Sequence, residues 1–358
     1  MNVGITIICS MLIFGLIVFI HELGHFIAAK LSGIQVDEFS IGMGPTLLKW
    51  NRKDTKYSIR LLPIGGYVSM EGEDDPQNDD NKALLEENST LDNNNSFQSA
   101  KLWKRIIVML AGAFMNLMLG FFVLVYLVNQ QDYITSRTVS NFYDNASTQN
   151  SGLQVGDEII AINGRRCFIA DDIIYEFART QNGVTQVTVL RNGNSVNLDI
   201  VFEVARMEDG AEHLIIDFTV LPIEKTFLSV LKEGFNWTLS FTRLVFLSFV
   251  DIITGHVPIN SLSGPIGIVA IIGEASSAGI EPILLILSLI SVNLGVFNLL
   301  PFPALDGSKI IFLLLEGIRK KPLNPKYEIL INTVGFVALM GLMLFVSFND
   351  IMSIFFKR

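Results

Sequence analysis

The chain has 358 residues, half of them hydrophobic and only 17% charged. Mean hydropathy is +0.46, whereas soluble globular domains carry nearer a quarter charged residues, so membrane embedding is the first expectation. The net charge of −9 comes with no basic face, and nothing points to a nucleic-acid partner. The two cysteines, Cys9 and Cys167, stand far apart and form neither a disulfide framework nor a metal-ligand spacing.

Residues 1–30 read as a first transmembrane helix. Val3 to Ile20 holds no charge, and no Lys or Arg precedes Lys30, so the basic n-region of a signal peptide is missing. Lys49, Arg52, Lys53, Lys56 and Arg60 follow. Positive charge marks the cytoplasmic side, which puts the N-terminus outside and residues 31–103 inside. Within this segment, residues 71–100 carry nine acidic side chains against Lys82. That composition buries no core and predicts disorder.

A second span covers 104–128 and returns the chain outward. Residues 135–222 are polar and mixed, as expected of a soluble domain outside the cytoplasm. Segment 225–282 contains the short apolar run Trp237 to Val250, interrupted by Arg243. It reads as an interfacial amphipathic helix, because a crossing there would put Arg319, Lys320, Lys321 and Lys326 outside. Residues 283–308 and 329–349 supply the third and fourth spans. Each apolar run approaches or exceeds the roughly 20 residues needed to cross a hydrocarbon core.

The sequence His21-Glu22-Leu23-Gly24-His25 fits the zincin pattern H-E-x-x-H. Two residues four apart on a helix share a face, so both imidazoles can reach one ion. Glu22 falls between them in angle, close enough to take a proton from a metal-bound water whose pKa lies near 7. Each ionisable group in such a segment costs roughly 2.5 kcal/mol or more at the bilayer centre, which disfavours an unpaired placement. A catalytic zinc commonly takes three protein ligands. His213 and His256 lie in segments placed outside, so the third ligand is expected to be Asp306, in Asn298-Leu-Leu-Pro-Phe-Pro-Ala-Leu-Asp306-Gly307. Pro301 and Pro303 break regular helical hydrogen bonding, and such backbone persists at membrane depth only beside protein or a water-filled cavity.

With these motifs in order, the chain closely resembles the site-2 protease family of intramembrane zinc metalloproteases, in its bacterial regulator of sigma-E protease (RseP) branch. The resemblance also covers Ile41–Pro45, Pro63–Val68, Ala111–Asn116, Gly264–Gly267 and Ser291–Gly295. It implies one zinc per chain on His21, His25 and Asp306, with Glu22 as general base. It implies a membrane-reentrant β-loop at about 57–70, whose edge around Gly65, Gly66 and Tyr67 holds an unwound substrate as an added strand. Asn298 resembles the family asparagine that contacts substrate. The Gly112-x-x-x-Asn116 pattern reads as substrate contact or as close helix packing. Two local departures stand out: Gly307-Ser308 where the family commonly has Gly-Gly, and Gly112-Ala113 for the frequent Gly-Pro.

Residues 135–222 resemble one PDZ domain, on Ser151–Gly164 and on a hairpin signal at Arg191–Asn194. Such a domain binds peptide C-termini or gates access to the membrane site. The expected fold is therefore a mainly α-helical polytopic membrane protein with about four transmembrane helices, a β-loop and one extracytoplasmic PDZ domain. The expected function is cleavage of transmembrane helices of single-pass proteins such as anti-sigma factors, or of remnant signal peptides, in a bacterial inner membrane. The rival readings are a PDZ-based receptor or chaperone with a vestigial metal site, and a zinc transporter. The transporter needs a ligand pathway, and the sequence offers one cluster.

Overall fold

The computed structural model describes residues 3–72, 95–180, 183–206, 212–255, 262–321 and 323–356. Most of the segment expected to be disordered, 73–94, lies outside the described residues. The chain divides into two compact units, 1–120 with 245–358, and 121–244.

In the first unit, α1 (Val3–Ser32) is an uncharged run up to His21, with no proline to interrupt it. It leads into a β-ribbon of β1 (Val36–Arg52) and β2 (Thr55–Met70). Both strands fold back on themselves, β1 near Gly42–Pro45 and β2 near Leu62–Gly65. Residues 36–41 therefore pair with 66–70 on one side and with 56–59 on the other, while 46–52 pairs with 55–60. The ribbon is four segments wide, and 66–70 forms one of its edges. It is longer than the stretch around 57–70 expected to be β, because the first strand begins at Val36.

The helix α2 (Leu102–Gln130) begins in this unit. Ala28 and Ala29 of α1, Val36 and Met70 of the ribbon, and Val108 and Met109 of α2 share one buried core. Farther along lie α6 (Pro265–Ala278), α7 (Ile280–Leu299), α8 (Asp306–Arg319) and α9 (Pro325–Phe356). The third apolar run thus stops at Leu299 instead of continuing to 308, and Asp306 opens a new helix. Pro301 and Pro303 in the break cannot carry the helix forward. The packing of α6 against α1, α7 and α9 is fixed at its N-terminus. There Asp350 accepts the backbone N–H groups of Gly264 at 3.2 Å and Gly267 at 2.8 Å, a carboxylate on the positive end of a helix.

Among the described residues, four helices are long and apolar enough to cross a membrane: Val3–Ser32, Leu102–Gln130, Ile280–Leu299 and Lys326–Ser353. Large apolar side chains stand exposed on them, among them Leu12, Phe122, Val337 and Leu344. A helix apolar on its outer face is a membrane span. This mixed helix and sheet architecture with four apolar helices fits a polytopic membrane protein.

The second unit, 121–244, is built on a sheet of strand order β10-β3-β4-β6-β7, with β5 paired to β4. Its strands are β3 (Ile134–Phe142), β4 (Glu158–Ile162), β5 (Arg165–Arg166), β6 (Val184–Arg191), β7 (Asn194–Val201) and β10 (Phe218–Ile223); β8 (Val204–Arg206) and β9 (Glu212–Leu214) pair separately. Alternation sets the buried face: Val187 and Val189 point inward from β6 onto Ile159, Ile162, Ile200 and Phe177. Asn192 and Gly193 both take positive φ, as a two-residue type I′ hairpin demands. Two helices flank the sheet, α3 (Ser147–Asn150) and α4 (Ala170–Ala178).

The helix α5 (Phe227–Ile253) runs 27 residues, beyond both ends of the apolar stretch 237–250, and is not among the four candidate spans. Arg243 explains why the apolar stretch is interrupted. Its guanidinium donates to Glu176 at 2.7 Å and to Asp172 at 2.8 Å on α4. Ser240, one turn earlier, donates to Asp172 at 2.6 Å. The other Asp172 oxygen caps α4 by accepting from Phe168 and Ile169.

Candidate metal centre

Helical geometry puts His21 and His25 one turn apart on the buried face of α1, at 8% and 6% exposure. Their Nε2 atoms are 3.2 Å apart. Asp306, 281 residues later than His25, brings its Oδ2 to 3.2 Å from His21 Nε2 and 3.3 Å from His25 Nε2. The break after α7 is what delivers it. Ala304 takes a left-handed φ of 72°, Leu305 is extended, and Asp306 is the first residue of α8. Asn332 on α9 fastens this turn, accepting from the Ala304 amide and the Ser308 hydroxyl at 3.2 and 3.3 Å. Ser308, which departs from the common glycine, also donates to the Leu305 carbonyl at 2.8 Å.

These three side chains form a group able to hold one metal ion. Two imidazole nitrogens and a carboxylate oxygen crowd together, yet Oδ2 is buried without a hydrogen-bond partner among the described residues. Four ligands at about 2.0–2.1 Å around a tetrahedral ion stand about 3.3 Å from one another. The observed spacings match that edge, and the donor set of two imidazoles and one carboxylate suits zinc.

Neighbours fix the rings. His25 Nδ1 lies 2.8 Å from the Val108 carbonyl. The side chain of Asn116 is fully buried, with Nδ2 at 3.3 Å from His21 Nδ1. Asn298 Nδ2 lies 3.5 Å from both nitrogens of His21. Close approach of α1 and α2 needs glycine on both sides. A Cβ on Gly112 would overlap His25 Nε2 and crowd His21, and one on Gly24 would overlap the Ala111 carbonyl.

The ribbon edge lies beside Glu22, whose Cγ is 3.5 Å from where a Cβ on Gly66 would stand. Gly65 has φ 85°. The Tyr67 hydroxyl hydrogen-bonds Arg60, and Arg60 also reaches Ser40 and Glu38 at 3.0 and 3.2 Å. Among the sequence-derived site residues, then, His21, His25, Asp306, Asn116 and Asn298 meet directly, and Gly66 borders Glu22. Sequence reasoning missed the Val108 carbonyl, which no side-chain pattern signals, and Asn332, an isolated asparagine. His256 lies outside the described residues.

Three side chains able to hold one ion, shared between a span-length helix and the turn after another, fit a membrane-embedded metallopeptidase. The family model described as Peptidase family M50 matches residues 9–342, and the chain belongs to this family, the site-2 proteases, in the RseP branch. The regulator of sigma-W protease RasP of Bacillus subtilis is 30% identical, with 98% of this chain and 99% of that protein aligned. The zinc metalloprotease RasP of Shouchella clausii is 32% identical, with 98% and 99% aligned. A Clostridium perfringens protein with a provisional zinc-metalloprotease name is 37% identical, with 96% and 98% aligned. These names support zinc as the cofactor, and the chain is a zinc metalloprotease.

Proposed function

We propose that the chain is an intramembrane endopeptidase in which His21, His25 and Asp306 hold one zinc ion and Glu22 is the general base. The observation that carries this reading is the convergence of three ligand atoms at 3.2–3.3 Å from two distant parts of the sequence. Held by these three residues, a zinc ion would supply Lewis-acid polarisation and a water acidified to a pKa near 7. Glu22 takes the water's proton and returns it to the leaving amide nitrogen. Asn298 donates its amide N–H toward the carbonyl oxygen of the substrate.

The substrate is a transmembrane helix of a single-pass protein, or a remnant signal peptide, unwound near the cytoplasmic side. Segment 66–70 has one ribbon neighbour, 36–41, so an extended peptide can add to it as a further strand through Gly65, Gly66 and Tyr67. The relative named for regulation of sigma-W favours anti-sigma-factor-type substrates and regulated intramembrane proteolysis. The unit 121–244 acts as a PDZ-type gate on the outer side, taking peptide C-termini or excluding untrimmed substrates. The setting is a bacterial inner membrane with both termini outside the cytoplasm.

Co-expression with candidate single-pass proteins tests this reading. Glu22→Gln is expected to lower cleavage at least about 100-fold while zinc content and fold stay native. Cleavage at the native rate in that variant removes Glu22 from the chemistry.

A further inference from the structure

The two candidate ligand histidines differ at their far nitrogens. A histidine that binds a cation through Nε2 carries its proton on Nδ1, and that N–H needs an acceptor. His25 Nδ1 has one in the Val108 carbonyl, at 2.8 Å. His21 Nδ1 faces the amide of Asn116, with Nδ2 at 3.3 Å. The other neighbouring amide, Asn298, sits 3.5 Å from both nitrogens of the ring and does not select between them.

Asn116 is fully buried, and its Oδ1 has no hydrogen-bond partner among the described residues. A carboxamide is nearly symmetric in shape, and a half-turn about its last torsion exchanges its two ends. The two arrangements demand opposite tautomers of His21. With Nδ2 toward the ring, Nδ1 accepts, the proton sits on Nε2, and Nε2 cannot ligate. With Oδ1 toward the ring, Nδ1 donates and the Nε2 lone pair is open to a cation. Complete burial also leaves Asn116 no surface for a substrate to contact.

We infer that Asn116 is a positioning residue for the metal: its Oδ1 accepts the Nδ1 proton of His21 and selects the tautomer that ligates. It does for His21 what the Val108 carbonyl does for His25. The spacing of Gly112 and Asn116 follows from this. One helical turn apart on α2, the first leaves room for the imidazoles and the second reaches behind one of them. The inference rests on the reading of His21 as a zinc ligand.

The test is zinc affinity, measured by chelator competition on the full chain in detergent micelles. Asn116→Asp keeps the shape and offers only acceptors, so it retains native affinity or tightens it. Asn116→Leu keeps the bulk without the acceptor and weakens zinc roughly 10–100-fold. Native affinity in Asn116→Leu overturns the inference. So does a tenfold or greater loss in Asn116→Asp, which marks the amide as a required donor. If Asn116→Leu does not fold, Asn116→Ala takes its place as the variant without an acceptor, and native affinity there overturns the inference equally. A His21→Ala control separates the two levels. Unchanged affinity there refutes the ligand reading and the inference with it. Loss there, combined with native affinity in Asn116→Leu, refutes the role of Asn116 only.

Discussion

A single methyl group at position 112 tests how tightly the centre is built. Gly112 faces both imidazoles, and a Cβ there would overlap His25 Nε2. The backbone cannot yield easily, because Gly24 on the facing helix is already against the Ala111 carbonyl. Gly112→Ala is therefore expected to displace His25, lower zinc occupancy and cut cleavage by roughly 100-fold, the scale of a 1 Å misplacement. Metal analysis of the purified variant checks this; full zinc content shows that α2 can shift away at little cost. At this scale the sequence was most informative where chemistry restricts the residue type. His21, Glu22, His25 and Asp306 stand out because ionisable groups are costly in apolar runs. The Val108 carbonyl was illegible because every residue carries a carbonyl. Arg60 read only as one more cytoplasmic charge, although it ties Glu38, Ser40 and Tyr67 together.

Elements were legible where their periodicity was unmixed. The strand Glu158–Ile162 alternates, and Asn192-Gly193 marks the hairpin between Val184–Arg191 and Asn194–Val201, so both could be read directly. The first ribbon strand could not, because Gly42, Gly44 and Pro45 break its pattern where it folds back. The length of α5 was also hidden, since Lys232, Glu233 and Asn236 make its first half look like a loop. Arg243 was legible as an interruption but not as a partner. It is 11% exposed and faces two carboxylates that are 2% exposed each. Removing the guanidinium leaves Asp172 and Glu176 without their closest cation, while Arg165 stays at 3.5 Å from Glu176. Arg243→Met is expected to destabilise the 121–244 unit by about 3–5 kcal/mol. Arg243→Lys recovers only part of this, because one ammonium cannot fork between two carboxylates. Thermal unfolding followed by proteolysis of this unit checks both, and a Met variant as stable as the native chain shows the ion pairs to be dispensable.

Across the whole molecule, an even number of spans returns the chain to the side where it began. The four candidate spans leave Lys49–Arg60 after the first and Arg319–Lys326 before the last, and positive charge belongs inside. The proposed topology puts unit 121–244 outside and requires that α5 does not cross. Single cysteines in a Cys9→Ser background test this with a membrane-impermeant maleimide. Cys167 does not interfere. Burial, aided by the nearby Asp172 charge, pushes its thiol up to about 12, so almost no thiolate exists at neutral pH. Ser195→Cys, on the exposed turn of the second unit, is expected to label in intact cells. Lys53→Cys and Lys321→Cys should label only after permeabilisation. A fifth crossing through α5 predicts a different pattern, with Lys321→Cys labelling in intact cells beside Ser195→Cys. That result would carry a further consequence for the metal centre. The run leading to Asp306 would then enter from the side opposite to α1, and two antiparallel runs of span length would not bring Asp306 to the depth of His21 and His25. The labelling of Lys321→Cys and the 3.2 Å approach of Asp306 to His21 therefore test the same topology by independent routes.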